Sequence, residues 1–248
     1  MRRIGLIGGT GLNEWGVAGV ACDIESRYGQ PSAPPLEYQL SGVRVYFVPR
    51  HGHGHLIPPH AVNYRANIDA FRQLNVGGVI AVNAVGGITT DNAPGTLAVP
   101  DQLIDYTWGR AHSFTLDESD PLQHVEFAEP FSAPLRERLL SVAGVMGQDV
   151  IDGGCIAVTQ GPRLETAAEV ARLMRDGCDM VGMTTMPEAA LAREAGLDYV
   201  SLCVSANWAA GIGDEPVTMQ GIDDTLAEAM GQARVLLTNF FGGYADDC

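Results

Sequence analysis

The chain has 248 residues and a formal net charge of −15. This negative balance argues against DNA or RNA as a partner, because a long polyanion requires a basic footprint on the protein. It still allows a small anionic substrate, provided that arginine, histidine and backbone N–H groups make a local pocket for it.

The composition favours one folded domain over residues 1–248. Its 30 glycines and 14 prolines are spread along the chain, so that no linker is indicated. The longest apolar run, around residues 79–85, is far too short to cross a membrane, and no signal-peptide pattern opens the chain. The five cysteines are widely spaced, which predicts neither a disulfide framework nor a zinc site. The cytoplasm is therefore the expected location.

Apolar runs alternate with helical patterns along the chain, which predicts an α/β fold. The runs that predict strands cover residues 4–7, 43–48, 78–82, 156–159, 180–183 and 199–204. The patterns that predict helices cover residues 62–74, 134–143, 166–175, 186–195 and 221–241. Thr185 and Glu188 have the spacing of a capping box at the fourth helix, and Gly196 is placed to end that helix.

Two segments that follow predicted strands could bind an anion. The turn Gly8-Gly9-Thr10-Gly11 can present backbone N–H groups and a hydroxyl, although it lacks the spacing of the dinucleotide fingerprint. The pair Arg50-His51 offers a guanidinium and an imidazole at a strand end. The alternating His51, His53 and His55 also allow a metal site, which the absence of a nearby acidic or cysteine ligand disfavours.

Three further segments carry candidate ligand-binding groups. Asn83 stands at the end of an apolar run that leads into a turn of small residues, where a ligand can approach the backbone. Glu165 precedes a predicted helix and could accept a hydrogen bond from an N–H group of a heterocycle, or simply complement the helix dipole. Met183 is either a core residue or a platform for a substrate. The Asn207 amide, just beyond a strand, can donate and accept at once.

Taken together, the motifs resemble the trimeric purine nucleoside phosphorylase family, and most closely its methylthioadenosine and methylthioinosine branch. The motifs occur in the same order as in the family, and the resemblance covers nearly the whole chain. Its motifs are Gly8-Gly9-Thr10-Gly11, Arg50-His51-Gly52, Pro59-x-x-Val62-Asn63-Tyr64-x-Ala66-Asn67, Gly161-Pro162-Arg163 and Met183-Thr184-Thr185-Met186-Pro187-Glu188. It implies a single α/β domain with a central mixed, twisted sheet flanked by helices, a homotrimer, and inorganic phosphate as co-substrate with no metal or organic cofactor.

The resemblance also implies roles for individual residues. Those implied to hold phosphate are Thr10, Arg50, His51, Asn83, Ala84 and Thr184. Those implied to contact the nucleoside are Ala84, Val85, Gly86, Leu164, Glu165, Met183, Thr184, Asn207, Ala209, Val217 and Met219, together with His124 of a neighbouring subunit. Asn207, Glu165, Arg50 and His51 are the residues implied to carry catalysis.

The identity of the purine can be predicted from the same comparison. Members that act on 6-aminopurines resemble one another in placing aspartate where this chain has Asn207, and often where it has Ala209. Glu165 matches the glutamate that 6-oxopurine members direct at N1–H, a hydrogen that neutral adenine lacks. The sequence therefore favours methylthioinosine, with methylthioadenosine phosphorylase and a broader inosine/guanosine phosphorylase as alternatives. A nucleoside-binding protein without turnover and a dinucleotide oxidoreductase remain as alternatives of other classes.

Overall fold

The computed structural model describes residues 2–16, 18–213 and 218–244. Its strands are β1 (Arg3–Gly8), β2 (Val20–Ala21), β3 (Leu36–Leu40), β4 (Val43–Pro49), β5 (Gly78–Gly87), β6 (Leu97–Val99), β7 (Gln102–Asp105), β8 (Ile151–Asp152), β9 (Cys155–Val158), β10 (Met180–Gly182) and β11 (Asp198–Trp208). Its α-helices are α1 (Tyr64–Gln73), α2 (Ala133–Met146), α3 (Ala167–Arg175), α4 (Thr185–Glu194) and α5 (Met219–Tyr244). Short 3₁₀ turns cover His53–His55, Pro59–Ala61 and Thr90–Asn92.

All the strands belong to one mixed sheet, which confirms the predicted α/β fold. The main path runs β2-β3-β4-β1-β5-β10-β9-β7, while β11 pairs with β5 and β6, and β8 pairs with β6. Strands β1, β4, β5 and β11 are mutually parallel, whereas β10 runs antiparallel to β5.

Strand β5 changes partner halfway along its length. Its first half pairs with β1, up to Ala81 opposite Ile7, and its last two residues pair with β10. Because β10 is antiparallel to β5, the carboxyl end of β10 points back toward the end of β1. The carboxyl ends of both strands therefore converge near the middle of β5.

Side chains alternate between the two faces of the sheet, as its pleat requires. Ile80 and Val82 pack into a core with α2 and α5, whereas Val79 and Ala81 pack into a second core with α1 and α4. A smaller third cluster includes Val170 and Leu173 of α3. No helix in the described part of the chain has both the length and the apolar character needed to cross a membrane.

The five predicted helices are present, with boundaries that differ by at most three residues. The predicted capping box at Thr185 and Glu188 is wrong. Glu188 is fully buried and forms an ion pair with the Arg50 side chain, so that it does not cap α4. A capping box does form at α3, where Thr166 and Glu169 exchange hydrogen bonds of 3.1 and 2.8 Å at a solvent-exposed position.

The strand predictions were incomplete in two ways. Strand β5 continues through Gly87 instead of turning after residue 82, and β11 runs to Trp208, so that Asn207 lies inside the strand. Strands β2, β6, β7 and β8 were not predicted, because each has at most four residues. Strand β3 was overlooked, although the alternation of apolar and polar residues in Leu36–Leu40 is a strand signal.

Gly87 is required where β5 meets the following loop. A Cβ atom added there would lie 1.8 Å from the Asn92 carbonyl oxygen, which belongs to the backbone. We predict that Gly87→Ala lowers the free energy of unfolding by about 3 kcal/mol, since backbone must move to accept it. Gly144→Ala is the matched control. It adds a methyl group to an exposed helical position with nothing within 4 Å, and should raise the free energy of unfolding by about 0.5–1 kcal/mol. Urea unfolding of both variants tests this, and equal midpoints would contradict it.

Candidate active site

A cavity of about 360 Å³ lies where the carboxyl ends of β1, β4, β10 and β11 converge on β5. Most of the residues predicted from the sequence line it together. They are Thr10, Arg50, His51, Ala84, Val85, Gly86, Leu164, Glu165, Met183, Thr184, Asn207 and Ala209. Segments far apart in sequence are thus assembled by the change of partner in β5.

Two groups of polar side chains line this cavity. The arginine group consists of Thr10, Arg50, His51, His55 and Thr184, and the amide group consists of Glu165 and Asn207. Apolar side chains complete the lining, among them Ile57, Pro59, Met183 and Ile222.

Arg50 forms a buried ion pair with Glu188 that sequence analysis did not find. Its Nε and Nη2 donate to the two carboxylate oxygens of Glu188 at 2.8 Å each, and its Nη1 donates to the Val82 carbonyl oxygen at 2.9 Å. Arg50 is 1% exposed and Glu188 is 0% exposed. Burial alone would lower the pKa of Arg50, but the Glu188 carboxylate outweighs it and raises that pKa. The other two of the five guanidinium N–H bonds have no partner among the described residues.

Glu188 is held on its other side by Tyr199, whose hydroxyl donates to Oε1 at 2.8 Å. The carboxylate therefore links β4, α4 and β11. Gly9 makes room for this arrangement, since a Cβ atom there would lie 2.8 Å from Arg50 Nη1 and 2.5 Å from the Val82 carbonyl oxygen.

His51 is neutral near pH 7. Its Nδ1 lies 2.7 Å from the Ile57 carbonyl oxygen, and a carbonyl can only accept, so Nδ1 carries the hydrogen. Nε2 is then an acceptor. Burial, reinforced by the positive charge of Arg50, lowers the pKa of His51 from 6.5 to about 4. The His55 ring lies against it at an interplanar angle of 42°, with ring centroids 4.3 Å apart, and its Nε2 lies 3.5 Å from the Thr10 hydroxyl oxygen.

Asn83 lies behind the cavity and does not line it. Its side-chain oxygen accepts a hydrogen bond from the Thr184 hydroxyl at 3.2 Å, and its amide nitrogen donates to Ser201 at 2.6 Å. The structure therefore places Asn83 as a support for Thr184, where the sequence had predicted a direct ligand contact.

The amide group is positioned by β11 and by the segment before α3. A bulge in β11 sets Asn207 opposite Gly86, which lacks a side chain. The Asn207 amide donates one hydrogen bond to the Trp208 carbonyl oxygen at 2.6 Å, and its second N–H and its side-chain oxygen have no partner in the part of the chain that the structure describes. Glu165 accepts a 2.6 Å hydrogen bond from the Thr159 hydroxyl through Oε1, leaving Oε2.

One described residue that was predicted to contact the nucleoside, His124, does not line this cavity. His124 is exposed in the segment between β7 and α2. Val217 lies outside the described residues, and Met219 begins α5 but its side chain is not among those described. In the described part of the chain, no group of three His, Cys, Asp or Glu residues could hold a metal ion.

Sequence analysis missed Glu188 and His55 as members of the site. Glu188 was noticed only for its capping-box spacing. Its ion pair with Arg50 was not predicted, because the two residues are 138 positions apart in the sequence. His55 was considered as a metal ligand, although its spacing of four residues from His51 with two intervening glycines is also compatible with a tight turn that brings the two rings together.

Comparison with known proteins places this site in context. A model of the Phosphorylase superfamily matches residues 3–242. A probable S-methyl-5'-thioinosine phosphorylase of Xanthomonas campestris pv. campestris is 51% identical over 87% of this chain and 88% of its own length. An S-methyl-5'-thioadenosine phosphorylase of Hyperthermus butylicus is 41% identical over 94% of this chain and 85% of its own length. The crystal structure of a Schistosoma mansoni methylthioadenosine phosphorylase in complex with adenine superimposes with a TM-score of 0.94 at 29% identity, covering 100% of this chain and 93% of that one.

The buried ion pair generates a stability prediction. Glu188→Gln leaves the Arg50 charge buried without its counter-charge, which should lower the free energy of unfolding by about 3–5 kcal/mol. Glu126→Gln is the matched control, because Glu126 is 73% exposed and its nitrogen–oxygen distance to Arg193 is 3.8 Å. That change should cost less than about 1 kcal/mol. Chemical denaturation measures both, and similar losses would contradict the importance of the buried pair.

The lowered pKa of His51 generates a pH prediction. Between about pH 6.5 and pH 4 the unfolded chain binds more protons at this residue than the folded chain does. The free energy of unfolding should therefore fall as the pH is lowered through this window, by about 3 kcal/mol from His51 alone. His51→Asn keeps a donor for the Ile57 carbonyl oxygen but does not titrate. Its free energy of unfolding should depend less steeply on pH than that of the wild type, and parallel curves would show that His51 does not contribute.

Proposed function

Because this chain belongs to the Phosphorylase superfamily, we propose that it catalyses phosphorolysis of a 5'-methylthio purine nucleoside, with S-methyl-5'-thioinosine preferred over S-methyl-5'-thioadenosine. The products are the free purine and 5-methylthioribose 1-phosphate. The observation that carries the proposal is the single cavity that holds the arginine group and the amide group together. A broader 6-oxopurine nucleoside phosphorylase is the alternative within the same family.

In this proposal the arginine group binds inorganic phosphate. The two unused N–H bonds of Arg50 and the hydroxyl of Thr10 donate to its oxygens. The unprotonated Nε2 of His51 can accept the hydrogen of a P–OH group. The ion pair with Glu188 limits the net positive charge of this group, so that anion binding depends on directed hydrogen bonds as well as on charge.

The amide group stabilises the purine as it leaves. When the bond from C1' to the base lengthens, the ribosyl group gains positive charge and the purine gains negative charge. Asn207 offers an N–H group to O6, or its oxygen to N7–H, and the free Oε2 of Glu165 accepts N1–H. Phosphate then bonds to C1' from the opposite face with inversion, so that no covalent enzyme intermediate is required.

The preference for a 6-oxopurine depends on Glu165. Adenine has no N1 hydrogen and would leave the free carboxylate oxygen without a donor, a mismatch of about 1–3 kcal/mol. The apolar lining from Leu56, Ile57 and Ile222 suits a methylthio group better than a 5'-hydroxyl.

The assembly and setting of the enzyme belong to the same proposal. A homotrimer would allow the exposed His124 to reach the cavity of a neighbouring subunit, and Val217 and Met219 would help to line its 5' side. The reaction would need no metal or organic cofactor, and it would serve purine salvage in the cytoplasm.

A direct assay tests the proposed function. Methylthioinosine, methylthioadenosine, inosine and adenosine are compared side by side, with and without phosphate. We expect methylthioinosine to have the highest kcat/KM and release of the base to require phosphate. Binding of nucleoside without phosphate-dependent release of base would identify a binding protein instead.

The base preference is tested by Asn207→Asp. The new carboxylate can accept from a 6-amino group, so the ratio of kcat/KM for methylthioadenosine to that for methylthioinosine should rise by about tenfold or more. Asn239→Asp, at an exposed position on α5, is the matched control and should leave the ratio unchanged. A ratio within about twofold of wild type in Asn207→Asp would remove Asn207 from base recognition.

A further inference from the structure

Arg110 occupies a position between the two segments that carry the two polar groups of the cavity. Its Nη1 donates to the carbonyl oxygens of Met183 at 2.8 Å and Met186 at 2.5 Å. Its Nη2 donates to the carbonyl oxygens of Gln160 at 2.8 Å and Thr159 at 3.2 Å. The guanidinium therefore connects the turn after β10 to the loop after β9.

The Arg110 side chain forms no ion pair with a carboxylate of the described residues. Burial lowers its pKa, opposed by Tyr64 and Asp105. The Tyr64 ring lies 5.6 Å from the guanidinium carbon, and Nε reaches the Gln160 side-chain oxygen at 3.3 Å. Its hydrogen bonds thus go to neutral groups, mostly backbone carbonyls. This use differs from that of Arg50, whose charge is balanced by Glu188.

The two connected segments each hold one part of the site. Met183 and Met186 flank Thr184, which belongs to the arginine group. Thr159 and Gln160 lead to Glu165, and the Thr159 hydroxyl also binds Glu165 directly. The segments touch at Gly161, where a Cβ atom would lie 2.6 Å from the Met183 sulfur. A shift of one segment against the other would therefore change the spacing between Thr184 and Glu165.

We propose that Arg110 is a positioning residue that fixes the distance between the phosphate-binding and base-binding parts of the cavity. The proposal rests on the proposed function. Glycosyl transfer requires phosphate, sugar and base to be aligned at once, and errors of about 1 Å can cost on the order of 100-fold in rate. Arg110 does not line the cavity, so its effect passes through Met183, Thr159 and Gln160. A guanidinium suits this role because its planar fork can serve carbonyls of two segments, which a single ammonium group serves poorly.

The test compares Arg110→Ala, Arg110→Lys and the control Arg175→Ala, an exposed arginine at the end of α3. For each, kcat and KM are measured for methylthioinosine and phosphate, and folding is monitored by thermal denaturation. We expect kcat/KM to fall by about 100-fold in Arg110→Ala and by about tenfold in Arg110→Lys, with kcat affected in both. Arg175→Ala should match the wild type.

Chemical rescue separates positioning from a general structural role. Guanidinium chloride at low, non-denaturing concentration should restore part of the kcat of Arg110→Ala, after correction for its effect on the wild type. Ethylammonium chloride at the same concentration should not, because it lacks the planar fork. Equal responses to the two salts would overturn the proposal.

The remaining outcomes also decide the matter. A folded Arg110→Ala or Arg110→Lys enzyme with kcat/KM within threefold of wild type would overturn the proposal. If Arg110→Ala does not fold, a folded Arg110→Lys enzyme with lowered kcat supports it. Failure of both variants to fold would overturn it, since Arg110 would then hold the fold and not the site. A wild-type enzyme without phosphorolysis would instead refute the proposed function, independently of Arg110.

Discussion

The buried ion pair between Arg50 and Glu188 is the interaction on which the site depends. It joins the end of β4 to α4, and Tyr199 extends it to β11. A charge this deeply buried is tolerated only when its partner is present and correctly oriented. The pair therefore fixes the orientation of the Arg50 guanidinium at the cavity, so that its position is determined by the folded core.

The same pair explains how the proposed phosphate site would work in an acidic protein. Glu188 offsets much of the Arg50 charge, and His51 is neutral because burial lowers its pKa. The proposed phosphate site then relies on unused N–H bonds, hydroxyl groups and an imidazole acceptor whose directions are fixed. Such a site would hold its ligand through directed hydrogen bonds more than through net charge. This is compatible with a reaction in which the sugar phosphate must also be released.

The sheet explains why the cavity lies where it does. Because β5 exchanges parallel β1 for antiparallel β10 along its length, the carboxyl ends of β1 and β10 approach from opposite edges of the sheet and meet near its middle. The bulge in β11 and the absence of a side chain at Gly86 then bring Asn207 to the cavity. Arg110 ties together the two segments that close it, from a part of the chain that forms neither strand nor helix.

Local sequence determined the class of fold, the five helices and the motifs that supply most of the cavity lining. These follow from side-chain periodicity, from glycine at strand ends and from polar residues after apolar runs, all of which are encoded within a few residues. Even the hairpin between β3 and β4, with positive φ at Ser41 and Gly42, carried a recognisable Ser-Gly turn signal that was overlooked. Only the tertiary structure decided that Glu188 pairs with Arg50 and does not cap its helix, that Asn83 supports Thr184 from behind, and that Arg110 bridges two loops. Each of these contacts joins residues that are distant in sequence. Whether a side chain pairs locally or with a distant residue depends on its burial in the fold, which a sequence pattern does not specify.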